Sequence, residues 1–159
     1  GPIPIGMSAD HANAYLRTKV LTASPEELRL MLLDGAIKFA RQGRDGLAKR
    51  DFEASYNGIS QARNIVLELL TTIKPEYDPE TLERVKAVYV FMYTELVAAS
   101  MEKDLVRLDS VIKLLEFERE TWVLLMKKLV EERAAADGTT PQQTAEGKPE
   151  RQPALSIQA

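Results

Sequence analysis

The sequence predicts an all-α fold, an antiparallel up-down four-helix bundle with a short extra N-terminal helix and a disordered C-terminal tail. Three observations support this prediction. Apolar residues recur three and four residues apart through four long stretches of the 159-residue chain. Capping residues and prolines separate these stretches. The links between them are short, and helices joined by short links pack as antiparallel neighbours.

Two features precede the first long helix. Residues 1–6 read GPIPIG before Met7, a composition typical of an expression-tag remnant, which we leave out of the fold. A short helix is predicted from Asp10 to Thr18. Because a helix this short is marginal in water, it either docks against the bundle or frays.

The first long helix has the strongest start signal in the chain. Ser24 supplies a hydroxyl N-cap, Pro25 occupies the first helical position, and Glu27 completes a capping box. We expect this helix to end near Lys49. Its interior contains Gly35, Gly43 and Gly46. Each glycine costs about 1 kcal/mol relative to alanine, so we expect a close helix approach or a local bend at these positions.

Capping aspartates and a proline mark the next helix starts. Asp51 is expected to cap the second long helix, and Asp78 with Pro79 starts the third. A two-residue break then leads to the fourth. The predicted spans are 52–73, 79–102 and 105–133.

The helices are predicted to form one domain over residues 7–133, followed by a disordered tail over residues 134–159. From Asp137 onwards the chain is rich in Gly, Thr, Pro, Gln and Glu, and three prolines interrupt any helical period. Such a segment has too few apolar residues to build a core.

The composition excludes several classes of protein. The chain has no Cys and a single His, His11, which excludes thiol chemistry and multi-histidine metal sites. Its net charge of −3 provides no basic surface for nucleic acid. No apolar run approaches the ~18 residues of a membrane span, and no signal peptide is evident. We expect a cytoplasmic protein that binds neither nucleic acid nor membrane and uses no metal or cofactor.

Catalytic constellations are also missing from the sequence. A di-iron bundle needs Glu-x-x-His pairs, and the four long helices contain no His. The charged run formed by Glu116, Glu118, Arg119 and Glu120 is expected to be a solvated helix face with local pairs. We therefore expect no enzymatic activity.

The third long helix has more apolar surface than a bundle helix needs. Residues 87–99 contain only two plainly polar positions, whereas an amphipathic helix needs an apolar stripe about 100° wide. Part of this surface should face a fifth element, which is the N-terminal segment, a second copy or another protein. The alternative is a well-filled core with tyrosines at its edge.

Several short stretches carry a resemblance to a known family. They are residues 22–28 (TASPEEL), 31–36 (MLLDGA), 62–69 (ARNIVLEL), 88–93 (VYVFMY) and 96–99 (LVAA), followed by Trp122. In the order and spacing of this set, the chain resembles the FliS family of flagellin export chaperones from about Tyr15 to Lys128.

The resemblance implies a small cytosolic chaperone and not an enzyme. Such a protein binds the disordered C-terminal segment of flagellin, prevents premature polymerisation and delivers flagellin to the gate of the flagellar type III export system. The implied partners are the flagellin C-terminal segment and an export gate component, with other flagellar regulators as further candidates.

We predict that the second and third long helices carry an apolar groove for the flagellin segment. Its candidate residues are Tyr56, Ile59, Arg63, Val66, Tyr89, Met92, Tyr93 and Leu96. We expect several of them to be core residues, because periodicity does not separate a groove from a core. By resemblance, Tyr15 and Leu16 form an N-terminal lid.

Two other hypotheses stay open. The same apolar surplus would serve a self-associating structural bundle without chaperone activity. A phosphotransfer bundle would rest on His11 alone, because that function needs an exposed histidine.

Overall fold

The computed structural model describes residues 9–74 and 78–138, which contain five α-helices and no strand. The helices are α1 (Ala9–Thr22), α2 (Pro25–Ala48), α3 (Phe52–Thr71), α4 (Pro79–Glu102) and α5 (Leu105–Ala136). The predicted all-α class is confirmed for the described residues. The predicted tag remnant and the part of the predicted tail beyond residue 138 lie outside them.

The long helices begin where the capping residues predict. Ser24 Oγ accepts a hydrogen bond from the Glu27 backbone N–H at 3.1 Å, and Glu27 Oε1 accepts one from the Ser24 N–H at 2.8 Å. This is the predicted capping box. The side chains of Asp51, Asp78 and Asp104 cap α3, α4 and α5, each accepting a backbone N–H three residues further on. These caps satisfy N–H groups that have no partner within their helices.

Three helix ends differ from the prediction. The first helix runs from Ala9 to Thr22, four residues beyond the expected end. Helix α3 ends at Thr71, two residues earlier than expected. Helix α5 continues to Ala136, three residues into the predicted tail, because alanines favour helix and no proline stops it there.

The core lies among α2, α3, α4 and α5. Helices α2 and α4 each pack against both α3 and α5. The largest fully buried side chains come from all four helices: Leu33, Ile59, Val66, Leu69, Met92, Leu96, Leu108, Val111 and Leu115. Helix α1 has no buried residue, so the core is complete without it.

Helices α2 and α3 approach each other closely at three glycines. A Cβ atom added to Gly58 would lie 2.4 Å from the backbone nitrogen of Gly43 and 2.7 Å from the Phe39 carbonyl oxygen. A Cβ atom added to Gly43 would lie 2.8 Å from Ile59 Cγ1. A Cβ atom added to Gly46 would lie 2.7 Å from the backbone nitrogen of Ser55. Only hydrogen fits at these points, so the close approach expected at the α2 glycines is confirmed at Gly43 and Gly46.

Charged side chains connect α2 to α5. The pairs are Arg44 with Asp109, Arg41 with Glu116, and Asp34 with Arg119. The prediction that the charged run of α5 makes only local pairs is therefore wrong for Glu116 and Arg119. Both side chains reach across to α2, because they lie on the edge of α5 that packs against that helix.

Candidate functional site

Five of the eight predicted groove residues belong to the core. They are Ile59, Val66, Tyr89, Met92 and Leu96, each at most 3% exposed. In this structure they do not line an exposed groove, which corrects that part of the prediction and agrees with the expectation that several are core residues. Core residues and groove residues on one helix follow the same three- and four-residue spacing. The spacing alone therefore placed the five core residues in the predicted groove.

Two α3 members of the predicted groove, Tyr56 and Arg63, remain at the surface. Tyr56 is 57% exposed, and Arg63 is partly exposed. Leu67, which is also exposed, follows Tyr56 by eleven residues, or three helical turns. The three side chains therefore share one face of α3. Leu67 is absent from the predicted set, although its spacing from Tyr56 is the signal that would have found it.

A matching face lies on α4. Tyr93 is partly exposed, and the flanking Val90 and Val97 stand one turn before and after it. Val90 is 49% exposed and Val97 is partly exposed. Ser100 lies on the same face, one turn after Val97. The sequence prediction found Tyr93 but missed both valines.

We name the six exposed or partly exposed residues on these two stripes the α3–α4 groove: Tyr56, Arg63, Leu67, Val90, Tyr93 and Val97. One end of the groove is a cleft of about 120 Å³ lined by Phe52, Ser55, Tyr56, Ser100 and Lys103. There Lys103 Nζ lies 5.0 Å from the centroid of the Phe52 ring, a cation–π distance. The first turn of α3 thus lies against the last turn of α4.

Arg63 is the charged residue of the groove. Its Nε atom is shielded from solvent and has no hydrogen-bond acceptor among the described residues. A buried N–H donor without an acceptor costs about 1–3 kcal/mol. The residue as a whole is partly exposed, so it lies at the boundary between the core and the surface.

The outer face of α4 is also apolar. Val90, Phe91 and Met101 are 49%, 54% and 76% exposed. This exposure confirms the predicted apolar surplus of this helix. Tyr89 and Met92 fill the core, while their neighbours Val90 and Phe91 stay outside it.

The predicted lid residues lie on α1. Tyr15 and Leu16 are each 37% exposed, and Val20 and Leu21 are exposed on the same helix. His11 is also an exposed α1 residue. Helix α1 therefore presents apolar side chains that the rest of the described chain does not bury.

A cluster of aromatic and charged groups joins all four core helices at one end. The Arg29 guanidinium carbon lies 5.3 Å from the Tyr89 ring centroid and 5.5 Å from that of Trp122. Arg29 Nη1 donates a hydrogen bond to the Leu69 carbonyl oxygen at 3.1 Å, and Trp122 Nε1 donates one to the Glu26 carbonyl oxygen at 2.9 Å. The cluster holds the four helices in one arrangement.

Burial changes the proton affinity of two groups in this cluster. Burial raises the pKa of Tyr89 to about 12, against the smaller opposing effect of the nearby Arg29 charge. Burial also raises the pKa of Glu118, while a hydrogen bond with Tyr89 and the charge of Arg29 act in the opposite direction. Both groups are held between helices, which suits a structural role.

A cleft with a charged lining lies between α2 and α5. Its volume is about 430 Å³, and it is lined by Asp34, Ile37, Lys38, Arg41, Glu116, Arg119 and Glu120. Acidic and basic side chains are equal in number there, and four of them form the two ion pairs of this region. Ile37 is the one apolar residue among those lining residues.

Metal sites and membrane spans are both absent from the described residues. No group of three or more His, Asp or Glu side chains in this part of the chain could hold a metal ion. Within the same residues, no helix combines the length and the apolar character that a membrane span requires.

Comparison with known proteins identifies the family. The sequence model described as "Flagellar protein FliS" matches residues 7–129, which include α1 to α4 and most of α5. The chain belongs to the FliS family. This match agrees with the resemblance from Tyr15 to Lys128. The matched region contains the α3–α4 groove and the cluster of aromatic and charged groups around Arg29.

Relatives in the FliS family come from distant bacteria. The chain is 33% identical over 109 residues to the "Flagellar secretion chaperone FliS" of Bacillus subtilis, covering 69% of this chain and 80% of that protein. It is 28% identical over 119 residues to the protein of the same name from Salmonella typhimurium, covering 74% and 88%. It is 24% identical over 110 residues to that of Campylobacter jejuni, covering 69% and 86%.

Proposed function

We propose that this protein is a cytoplasmic flagellar export chaperone that binds the disordered C-terminal segment of flagellin in the α3–α4 groove. It prevents premature polymerisation and delivers flagellin to the export gate, without enzymatic activity. The observation that carries the proposal is the row of exposed tyrosine, leucine and valine side chains along this groove in a chain of the FliS family. Such a row suits an amphipathic segment that buries its apolar face on binding.

The proposed architecture for residues 7–133 is a single antiparallel up-down four-helix bundle made of α2 to α5. Three contacts between α2 and α5 support it: Arg44 with Asp109, Asp34 with Arg119, and Glu26 with Arg133. Along this series of contacts, the residue number falls in α2 and rises in α5, so the two helices run in opposite directions. The contact of the first turn of α3 with the last turn of α4 agrees with opposite directions for that pair too.

This direction sets the register of the groove. Starting from the contact of Phe52 with Lys103, both helices advance 1.5 Å per residue in opposite senses. Arg63 then lies level with Met92, one residue from Tyr93, and Leu67 lies level with Val88, two residues from Val90. The two stripes therefore face the same channel over about three helical turns.

The physical properties of such a complex suit a chaperone that must release its client. Burial of the client's apolar face contributes about 25 cal/mol per Å² of apolar surface. Ordering a disordered segment costs about 2–5 kcal/mol or more of the gross interaction energy. The affinity therefore stays moderate although the covered surface is large.

The N-terminal lid remains part of the proposal. Tyr15 and Leu16 on α1 have exposed apolar surface that would suit the groove when the client is absent. Deleting residues 7–18 should then increase flagellin affinity and the exposure of the groove residues to hydrogen exchange. If the deletion changes neither quantity, the lid is excluded.

Calorimetry tests the proposed function. We would titrate the protein with the C-terminal segment of its cognate flagellin at several temperatures. One-to-one binding with a large negative heat-capacity change indicates folding of the segment onto an apolar surface. If neither the full chain nor the chain without residues 7–18 binds, the proposal fails.

The self-associating bundle is the second candidate, and one observation favours it. On the outer face of α4, uncharged residues alternate three and four residues apart: Ala87, Val90, Thr94, Val97 and Met101. This is the spacing of a coiled-coil seam, which a second copy of α4 could occupy. Sedimentation decides between the two, because a tight dimer favours self-association and a monomer favours the chaperone.

A further inference from the structure

Arg63 is an unusual residue for the wall of an apolar groove. It lies between Tyr56 and Leu67 on α3 and, in the register given above, one residue from the level of Tyr93. Its Nε–H is shielded from water and has no acceptor in the described part of the chain. A residue that only filled space at this position would avoid that cost by being apolar.

The groove residues themselves carry charge of one sign. The six groove residues contain one cation and no anion, and Lys103 adds a second cation at the Phe52 end. Glu95, the acidic residue nearest to Tyr93 along α4, is engaged by Arg107 of α5, with Arg107 Nε 3.4 Å from Glu95 Oε1. An apolar groove with positive charge favours an apolar segment that carries negative charge.

We propose that Arg63 is the polar anchor of the groove and binds a carboxylate of the docked segment. This inference rests on the proposed function. A guanidinium presents Nε–H and Nη–H as two parallel donors that match the two oxygens of a carboxylate. The unsatisfied Nε–H gains an acceptor on binding, and the carboxylate fixes the register of a segment whose apolar contacts alone would allow sliding.

The carboxylate has two possible sources in a C-terminal segment, the chain terminus and an Asp or Glu side chain. Both present the same chemistry to Arg63. A synthetic segment with an amidated C-terminus separates them, because amidation removes the terminal charge and leaves every side chain unchanged.

The test compares Arg63→Met, Arg63→Lys and wild type. Methionine keeps an apolar side chain of similar length and removes all hydrogen-bond donors. Lysine keeps the positive charge but loses the two parallel N–H donors of the guanidinium. Arg84→Met is the matched control, because Arg84 lies on α4 away from the groove, with a side chain 70% exposed. Affinity for the flagellin segment is measured by calorimetry at 50 and 500 mM NaCl, and stability by thermal unfolding.

We expect Arg63→Met to weaken binding at least tenfold at low salt without lowering Tm, because it removes an unsatisfied buried donor. The loss should shrink at high salt, with Arg63→Lys intermediate and Arg84→Met like wild type. Amidation should weaken wild-type binding as strongly as Arg63→Met if the terminus is the partner, and should leave it unchanged if a side chain is.

Three results would overturn the anchor. If Arg63→Met binds the segment as tightly as wild type, Arg63 is not an anchor. If its affinity loss accompanies a fall in Tm, Arg63 is a structural residue. A loss that is the same at both salt concentrations would exclude the carboxylate. If wild type itself binds no flagellin segment with or without residues 7–18, the proposed function fails and this inference with it.

Discussion

The Arg29 guanidinium lies over the ring of Tyr89, with the guanidinium carbon 5.3 Å from the ring centroid. The Trp122 ring is 5.5 Å from the same carbon, so the charge interacts with two aromatic rings. Arg29 also donates a hydrogen bond to the Leu69 carbonyl oxygen, which connects it to the end of α3. One residue of α2 therefore contacts the three other core helices.

Replacing Arg29 with methionine should lower the free energy of unfolding by about 2 kcal/mol. The variant loses a charged hydrogen bond and the interaction with two rings, each worth about 0.5–3 kcal/mol. Urea unfolding followed by circular dichroism measures the change. Arg84→Met is the control, because the exposed Arg84–Glu80 pair should contribute less than 1 kcal/mol. Equal stability of the two variants would contradict the role given to Arg29.

The buried Tyr89 hydroxyl should make the protein less stable in alkali. Its pKa is about 12 in the folded chain against 10.0 for the ordinary group. The unfolded chain therefore releases this proton first, and stability falls as pH rises from about 10 to 12. A shift of this size corresponds to a loss on the order of 3 kcal/mol.

The Tyr89→Phe variant isolates this contribution. Its free energy of unfolding, measured by urea at several pH values between 8.5 and 12, should fall less steeply than that of wild type. Other groups titrate in the same range in both proteins, so the difference between the two curves reports Tyr89. Parallel curves would show that the hydroxyl is not held neutral by the fold.

The close approach at Gly58 should not tolerate alanine. The added Cβ would lie 2.4 Å from the backbone nitrogen of Gly43, and a backbone cannot turn aside as a side chain does. Separating α2 from α3 should cost about 1–3 kcal/mol, as other overpacked cores do. Gly35→Ala is the matched control, because its Cβ would meet only Ile65 Cδ1 at 3.4 Å and alanine favours helix by about 1 kcal/mol. A Gly58→Ala variant as stable as Gly35→Ala would contradict the packing.

Local signals in the sequence predicted the helix starts accurately. Ser24, Asp51 and Asp78 cap the helices they are expected to cap, because a capping side chain bonds to N–H groups within three residues of itself. The helix ends were less accurate at Thr71 and Ala136. No single residue type is required where a helix ends in exposed surface, so the sequence carries a weaker signal there.

The groove was only partly predictable. Tyr56, Arg63 and Tyr93 are at the surface as expected, whereas Tyr89 and Met92 are in the core. Neighbouring positions on an apolar helix differ by about 100° in direction, and which of them faces solvent depends on where the adjacent helices lie. That placement is a property of the packed structure and not of the spacing.

A negative charge on the α4 wall of the groove should block the proposed flagellin contact. We expect Val90→Glu to weaken binding of the flagellin segment at least tenfold, because the new carboxylate would have to leave water in an apolar contact. The control is Val106→Glu on α5, where the same substitution is made at a side chain that is 77% exposed, on a helix that contributes no groove residue. Both positions are exposed, so both variants should keep the wild-type Tm. If Val90→Glu and Val106→Glu bind the segment equally well, flagellin does not use this groove, and a client site would have to be sought on α1 or on the second half of α5.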